Sequence, residues 1–278
     1  MNNSDLRYAL GRIGKSVGLV ILSMAVLTVA WQLAVGWLID SGHTNSYIAK
    51  KPVDVWDYFT KVGIDNVEPS VHRHDILALL WVTLGHTALG FVAGVAGSIV
   101  LALSFVIVKP LEFMFLPVAV FLRTVPLLAL APAIYLVFGD GLVAAALISA
   151  VVVFFPILLN LAVGFRSVSP QAVDMVRVNG GTRWTLLRKV AIPTALPQLF
   201  ASMRIAVPGA LTGAMLYEWL LTTSGLGGKI PLAKSQADYQ QIWAIAAVVT
   251  VVSILLYTVA AIVEESVLAR WGFITRRG

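Results

Sequence analysis

From Val17 to Ile39 the chain runs through 23 positions without one charged side chain. A helix needs about 20 mostly apolar residues to cross the hydrocarbon of a bilayer, so this stretch alone predicts a spanning helix. The pattern recurs. Leu77 to Val108 has His86 as its only titratable group, and reads as an amphipathic lead-in followed by a span that ends before Lys109-Pro110. Phe113 to Phe138 is apolar except for Arg123, and is broken by Pro117, Pro126 and Pro132. Leu142 to Phe165 contains an internal Pro156, Pro197 to Leu221 carries Arg204 and Glu218, and Trp243 to Val263 is free of charge. Six spans are expected, making the chain an all-α integral membrane protein.

Composition agrees with that count. Charged residues make up 12% of the 278 positions, and mean hydropathy is +0.87. A soluble domain carries about 25% charge, and half of that cannot cover a water-facing surface. The chain has no cysteine, which removes disulfides, thiolate nucleophiles and thiolate metal ligands from consideration.

The charges also orient the spans. Arg7, Arg12 and Lys15 resemble the start of a secretory signal, but a signal's apolar core is only about 7–15 residues long, so the first span is read as an uncleaved anchor. With the N-terminus inside, twelve Lys and Arg fall on cytoplasmic pieces and six on outer ones, leaving Arg123 and Arg204 within spans. Positive charge collects on the cytoplasmic side, which places both termini there. The expected organisation is an anchor helix with an outer amphipathic segment over 1–75, a core over 76–265, and a basic cytoplasmic tail over 266–278. Within the outer segment, Pro52 starts a short helix whose Val55, Trp56 and Phe59 are expected to share an interfacial face.

Catalytic chemistry is hard to find. Gly225-Leu226-Gly227-Gly228-Lys229 has the wrong spacing for a phosphate loop and is followed by Ile230. His72 and His74 form one close pair, read as a solvated loop rather than a metal site. No nucleophile-base arrangement or carboxylate pair stands out. Neither a metal nor a nucleic-acid partner is expected, and intrinsic enzymatic activity is not.

The informative segment is 166–195, on the cytoplasmic side and too long for a turn. Ser169 caps a helix that begins at Pro170, a residue suited to the first helical position. Gly180-Gly181 ends that helix. Thr182 caps a second helix, Arg183 to Val190, which is expected to stop before Pro193. Leu186 and Leu187 beside Arg183 and Arg188 give this knob an apolar tip with a basic rim. It reads either as a hairpin lying on anionic lipid or as a docking surface for another protein.

This segment resembles the cytoplasmic loop of ABC-importer permeases, E-A-A-x3-G-x9-I-x-L-P. The chain has Asp174-Met175-Val176, Gly180, and Val190-Ala191-Ile192-Pro193 at matching spacing. The glycine and proline match outright, the acidic and aliphatic positions match in kind, and Met175-Val176 replaces the two alanines. Val125-Pro126-Leu127-Leu128-Ala129-Leu130-Ala131-Pro132 with Phe138-Gly139 looks like the proline-broken third span of nitrate/sulfonate/taurine-type permeases. Glu218 followed by Thr223-Ser224-Gly225-Leu226-Gly227 resembles their E-(x)n-S-x-G-L-G segment, and Lys51-Pro52-Val53-Asp54-Val55-Trp56 their pre-core P-x-x-V-W helix. The resemblance covers roughly residues 50 to 265.

The resemblance implies a type I importer permease in the bacterial inner membrane. Two copies would form the pore, with two ATPase subunits below and a periplasmic or lipid-anchored solute-binding protein outside. ATP and Mg would bind the ATPase, with no cofactor on this chain. Asp174, Gly180, Gly181, Arg183, Leu186, Leu187 and Pro193 would couple the chain to that ATPase. The implied cargo is a small organic or inorganic anion, such as a sulfonate, nitrate or aromatic acid, or a vitamin-like heterocycle. The rival is a self-sufficient secondary transporter or channel, which needs carboxylates or broken-helix ion sites near the midplane; Asp140 and Glu218 lie near outer span ends instead. A non-transporting membrane scaffold is a third reading.

Three charged residues within spans are pathway candidates. Arg123, near the middle of its span, either takes a backbone carbonyl freed by Pro126 as its partner or contacts anionic cargo. Arg204 lies closer to the cytoplasmic end and is expected to snorkel. Glu218 either gates the outer mouth or pairs with a neighbouring helix. Gly90, Gly94 and Gly97 line one helical face and are expected to let another helix approach closely.

Overall fold

The computed structural model describes residues 3–62 and 67–271, with side chains from 21 onward. The side chains of Arg7, Arg12 and Lys15, and the tail residues Arg276 and Arg277, lie outside the described residues. Among those described there is helix and loop but no strand. In chain order the helices are α1 (Asn3–Asp40), α2 (Pro52–Thr60), α3 (Pro69–Ile107), α4 (Lys109–Arg123), α5 (Leu127–Phe138), α6 (Leu142–Arg166), α7 (Pro170–Val178), α8 (Arg183–Leu186), α9 (Ile192–Leu221), α10 (Gly225–Ser235) and α11 (Tyr239–Arg270). A π turn, Leu187–Ala191, joins α8 to α9.

Five expected spans are continuous helices long and apolar enough to cross a membrane. The third is different. It is split into α4 and α5, which meet at 107°. Of its three prolines only Pro126 breaks the helix; Pro117 and Pro132 sit inside α4 and α5. Proline disfavours helical geometry in the residue before it, and Pro126 is itself extended, with ψ at 120°. The backbone closes α4 tightly beforehand: Thr124 N–H donates to Phe121 O and Val125 N–H to Leu122 O. Those short-range bonds use the carbonyls that the proline leaves unpaired.

Two compact units make up the chain. One comprises Met1–Ile76 with Ala233–Thr250. Aromatic residues organise it: Trp31 and Trp243 stack with centroids 5.4 Å apart, and their indole N–H groups donate to Lys50 O and Ile48 O. The buried face of α2 is Val55 and Tyr58, with Phe59 half-buried, whereas Trp56 is 68% exposed beside exposed Val53. The expected Val55, Trp56 and Phe59 face is therefore corrected. Residues 55, 58 and 59 share a helical stripe, and 56 points about 100° away from 55.

The second unit comprises Leu77–Leu232 with Val251–Gly278. Its centre is the packing of α6 on α9, through Ala144, Ile148, Val153, Ile157 and Leu158 on one helix and Ala206, Ala210, Leu211 and Ala214 on the other. Small side chains let the two backbones approach, the usual device of membrane helices. Gly90 and Gly94 bring α3 against α6: a Cβ at either would collide with Ser149 or Val153. Gly97 has more room, with Phe154 at ordinary contact distance.

Candidate functional site

Two regions of the second unit carry the sequence candidates. The first is the hairpin over 166–195. Ser169 Oγ accepts the Ala172 N–H at 3.3 Å and Pro170 opens α7, as the sequence indicates. Gly180 has φ +70°, and the Gly181 N–H returns to Val176 O at 2.8 Å. That pairing closes the helix end in the left-handed cap that favours glycine. A Cβ on Gly180 would meet nothing, so conformation alone demands glycine there, while a Cβ on Gly181 would press into Val176. Thr182 Oγ1 accepts the Thr185 N–H and starts α8.

The second helix does not stop before Pro193. It runs on into α9, so that Arg183–Leu221 is one 39-residue helical segment. Pro193 has no N–H and its ring would crowd the carbonyl four residues back. The π turn solves this, with the Ile192 N–H reaching five residues back to Leu187 O. The continuation also turns Leu187 inward. It is 1% exposed, and Leu186 is half-buried. The apolar tip lies elsewhere: Val178 is 86% exposed, Met175 69% and Trp184 57%. Arg188 lies over the Trp184 ring at 6.0 Å, and Asp174 is an exposed neighbour of Arg177 at 3.9 Å. Arg183 is exposed and donates from Nη1 to Ile107 O at 3.1 Å.

The second region holds the charges within spans. Glu218 is 0% exposed. Its Oε2 accepts from the Thr83 hydroxyl at 2.8 Å and from the Gly227 N–H at 2.9 Å, and its Oε1 lies 2.8 Å from His86 Nδ1. With a carboxylate as acceptor, Nδ1 carries the hydrogen. Thr83 Oγ1 in turn accepts the Leu226 N–H at 2.9 Å. Three elements therefore converge on one carboxylate: α3, α9 and the start of α10. A Cβ at Gly225 would strike the Glu218 carboxyl, and one at Gly227 would strike Met215 O. The Gly-Leu-Gly run is thus the backbone half of the pocket that encloses Glu218. Next to it, Tyr217 donates to Asp140 Oδ1 at 2.8 Å, and its ring meets His86 edge-on.

Arg204 has a partner on α11. Its Nη1 lies 2.9 Å from Glu264 Oε2, with the guanidinium 5.5 Å from the Tyr257 ring centroid. Arg123 stands at the end of α4, at the elbow rather than mid-helix, and is exposed with no hydrogen bond or ion pair among the described residues. The carbonyls near Pro126 are already used by backbone N–H groups. Between α3, α9 and α11 lies an apolar cavity of about 620 Å³, lined by Trp81, Phe91, Phe200, Met203 and Leu256.

Sequence reasoning missed His86, Thr83 and Glu264 as partners. A signal existed for the first two: at positions 83 and 86 they share one face of α3, on a span whose only titratable group is a histidine.

The profile of the family described as "Binding-protein-dependent transport system inner membrane component" matches residues 76–271. The riboflavin transport system permease protein RibX of Chloroflexus aurantiacus is 36% identical over 164 residues, covering 59% of this chain and 61% of that one. The formylaminopyrimidine transport permease protein ThiX of Halalkalibacterium halodurans is 30% identical over 90% of this chain and 94% of its own. The putative aliphatic sulfonates transport permease protein SsuC of Bacillus subtilis is 26% identical, over 90% and 86%. Among solved structures, an amino acid ABC transporter with histidines superposes with a TM-score of 0.56 at 20% identity, covering 69% of this chain and 93% of that one, which shows the shared fold. With five spanning-length helices, one bent helix pair and a profile match across most of its length, the chain belongs to the binding-protein-dependent inner membrane transport family, as a multi-pass permease subunit for small solutes whose ATP hydrolysis is done by separate subunits.

Proposed function

We propose that two copies of this chain form the translocation path, and that hairpin 166–195 docks on the ATPase at the cytoplasmic side. The observation that carries this reading is the exposed apolar surface of Met175, Val178 and Trp184, edged by Arg177, Arg183 and Arg188. Large apolar side chains held in water on a capped, rigid turn suit a protein cleft. Asp174, Gly180 and Gly181 shape the turn, Arg183 and Leu186 lie at its base, and Leu187 and Pro193 fix the root. Residues 76–265 form the core, both termini lie in the cytoplasm, and a periplasmic or lipid-anchored binding protein delivers cargo from outside. ATP and Mg bind the ATPase and no cofactor binds this chain.

The cargo is a small organic or inorganic anion or a vitamin-like heterocycle. Arg123 supports the anionic choice, since it is a cation without a partner among the described residues, at the bend of a broken span, whereas Arg204 is neutralised by Glu264. Glu218 serves as an internal tie at the outer end of its span.

Coexpression with the partner ATPase tests the docking surface. Val178→Asp with Trp184→Ala is expected to abolish copurification of the ATPase while the chain remains inserted. Full retention by that double variant would refute the docking role. Ligand identification on the partner binding protein names the cargo, and a cationic ligand would exclude the anionic choice.

A further inference from the structure

We infer that Arg166 and Arg183 clamp the joint between α3 and α4, and that movement of the hairpin reaches Arg123 through it. The inference rests on the hairpin being the ATPase-docking element.

Val108 is the single non-helical residue between Ile107, the last of α3, and Lys109, the first of α4. A helix end leaves carbonyls without intrahelical partners. In a continuous helix Ile107 O would take the Leu111 N–H, but that group turns to Val108 O instead. Arg183 fills the vacancy, donating from Nη1 to Ile107 O at 3.1 Å. The other side of the joint is held separately. Glu112 sits in the first turn of α4, where the helix dipole favours a carboxylate. Its Oε1 accepts from Arg166 Nε at 2.6 Å.

The two arginines bracket the hairpin in sequence, since Arg166 ends α6 before α7 begins and Arg183 opens α8 after it. They bracket the joint in space, one holding the α3 side and the other the α4 side. Arg166 is 57% exposed, and exposed ion pairs add little to stability, so these bonds position α4 more than they hold the fold. A helix of 15 residues is about 22 Å long. A turn of about 10° at Val108 would therefore carry Arg123, at the far end, by roughly 4 Å. Glu112, Arg166 and Arg183 are positioning residues for the elbow.

The absence of cysteine makes the test direct. Exposed Thr124, beside Arg123, is replaced by cysteine in the full complex with ATPase and binding protein, reconstituted in liposomes. The labelling rate by a charged methanethiosulfonate is read at rest and after trapping with ATP, Mg and vanadate. The parent is expected to show a trap-dependent change in rate. Glu112→Arg is expected to lose that change while retaining the ATPase, and Arg183→Met is expected to lose the change as well. Exchanging the charges, Glu112→Arg with Arg166→Glu, is expected to restore it. The clamp is overturned if either single variant keeps the change, if the exchange does not restore it, if Glu112→Arg sheds the ATPase, or if the parent shows no change with the ATPase bound. If the ATPase does not copurify with the parent, the docking reading has failed and the clamp falls with it.

Discussion

Replacing Glu218 by leucine would leave the Thr83 hydroxyl, the His86 Nδ1–H and the Gly227 N–H facing hydrocarbon. Breaking a buried charged network by removing one partner costs about 3–5 kcal/mol. Glu218→Leu is therefore expected to lower the unfolding temperature of the purified complex strongly and to reduce its yield. Glu218→Gln should be much milder, near the 1 kcal/mol of a single hydrogen bond. The amide keeps one oxygen for Thr83 and Gly227, and a change of tautomer lets His86 Nδ1 accept from the new NH2. Equal damage from both substitutions would show that charge rather than hydrogen bonding holds the cluster. The carboxylate was visible in the sequence as an oddity in an apolar run. Its partners were not, because Thr83 and Gly227 lie 135 positions away on one side and nine on the other, and only packing brings them together. Arg204 is similar: Glu264 lies just beyond the charge-free stretch that marks its helix.

At the scale of elements, the hairpin separates two kinds of residue that the sequence places side by side. Gly180→Val forces a β-branched residue to φ +70°, at about 1–2 kcal/mol or more, but it meets no neighbour. The spans should stay inserted while ATPase retention falls, which detergent copurification measures. Leu187→Asp puts a carboxylate into a site that is 1% exposed, so it should reduce the amount of folded chain recovered on size-exclusion chromatography. A normal yield of Leu187→Asp with lost ATPase retention would return Leu187 to the docking surface. Caps and apolar runs were legible here because Ser169, Pro170, Gly180 and Thr182 act locally. The inward turn of Leu187 was not legible, since it depends on how the chain accommodates Pro193 some residues later. The same holds for the third span: three prolines are visible in it, and all three carry the same local restriction, so the sequence does not say which of them bends the helix.

For the whole molecule, the charge asymmetry makes the testable statement. Twelve Lys and Arg on the pieces read as cytoplasmic, against six on those read as outer, predict residue 60 outside and residue 180 inside. Reporter fusions at those two positions are expected to be active in the periplasm and the cytoplasm respectively. Finding residue 180 outside would invert the topology and remove the hairpin from the ATPase.

The π turn has a further consequence, one of phase. It holds one residue more than an α turn, and each residue of an α-helix advances the side chains by about 100°. Deleting a single residue from 187–191 would take out that extra residue, bring back the crowding at Pro193, and swing α7 and α8 through about that angle around the axis of α9. Every contact from Glu218 to Arg204 would keep its place, while Val178 and Trp184 would face a different quadrant. The direction in which the hairpin points is thus set by one residue of length, independently of the sequence the hairpin carries.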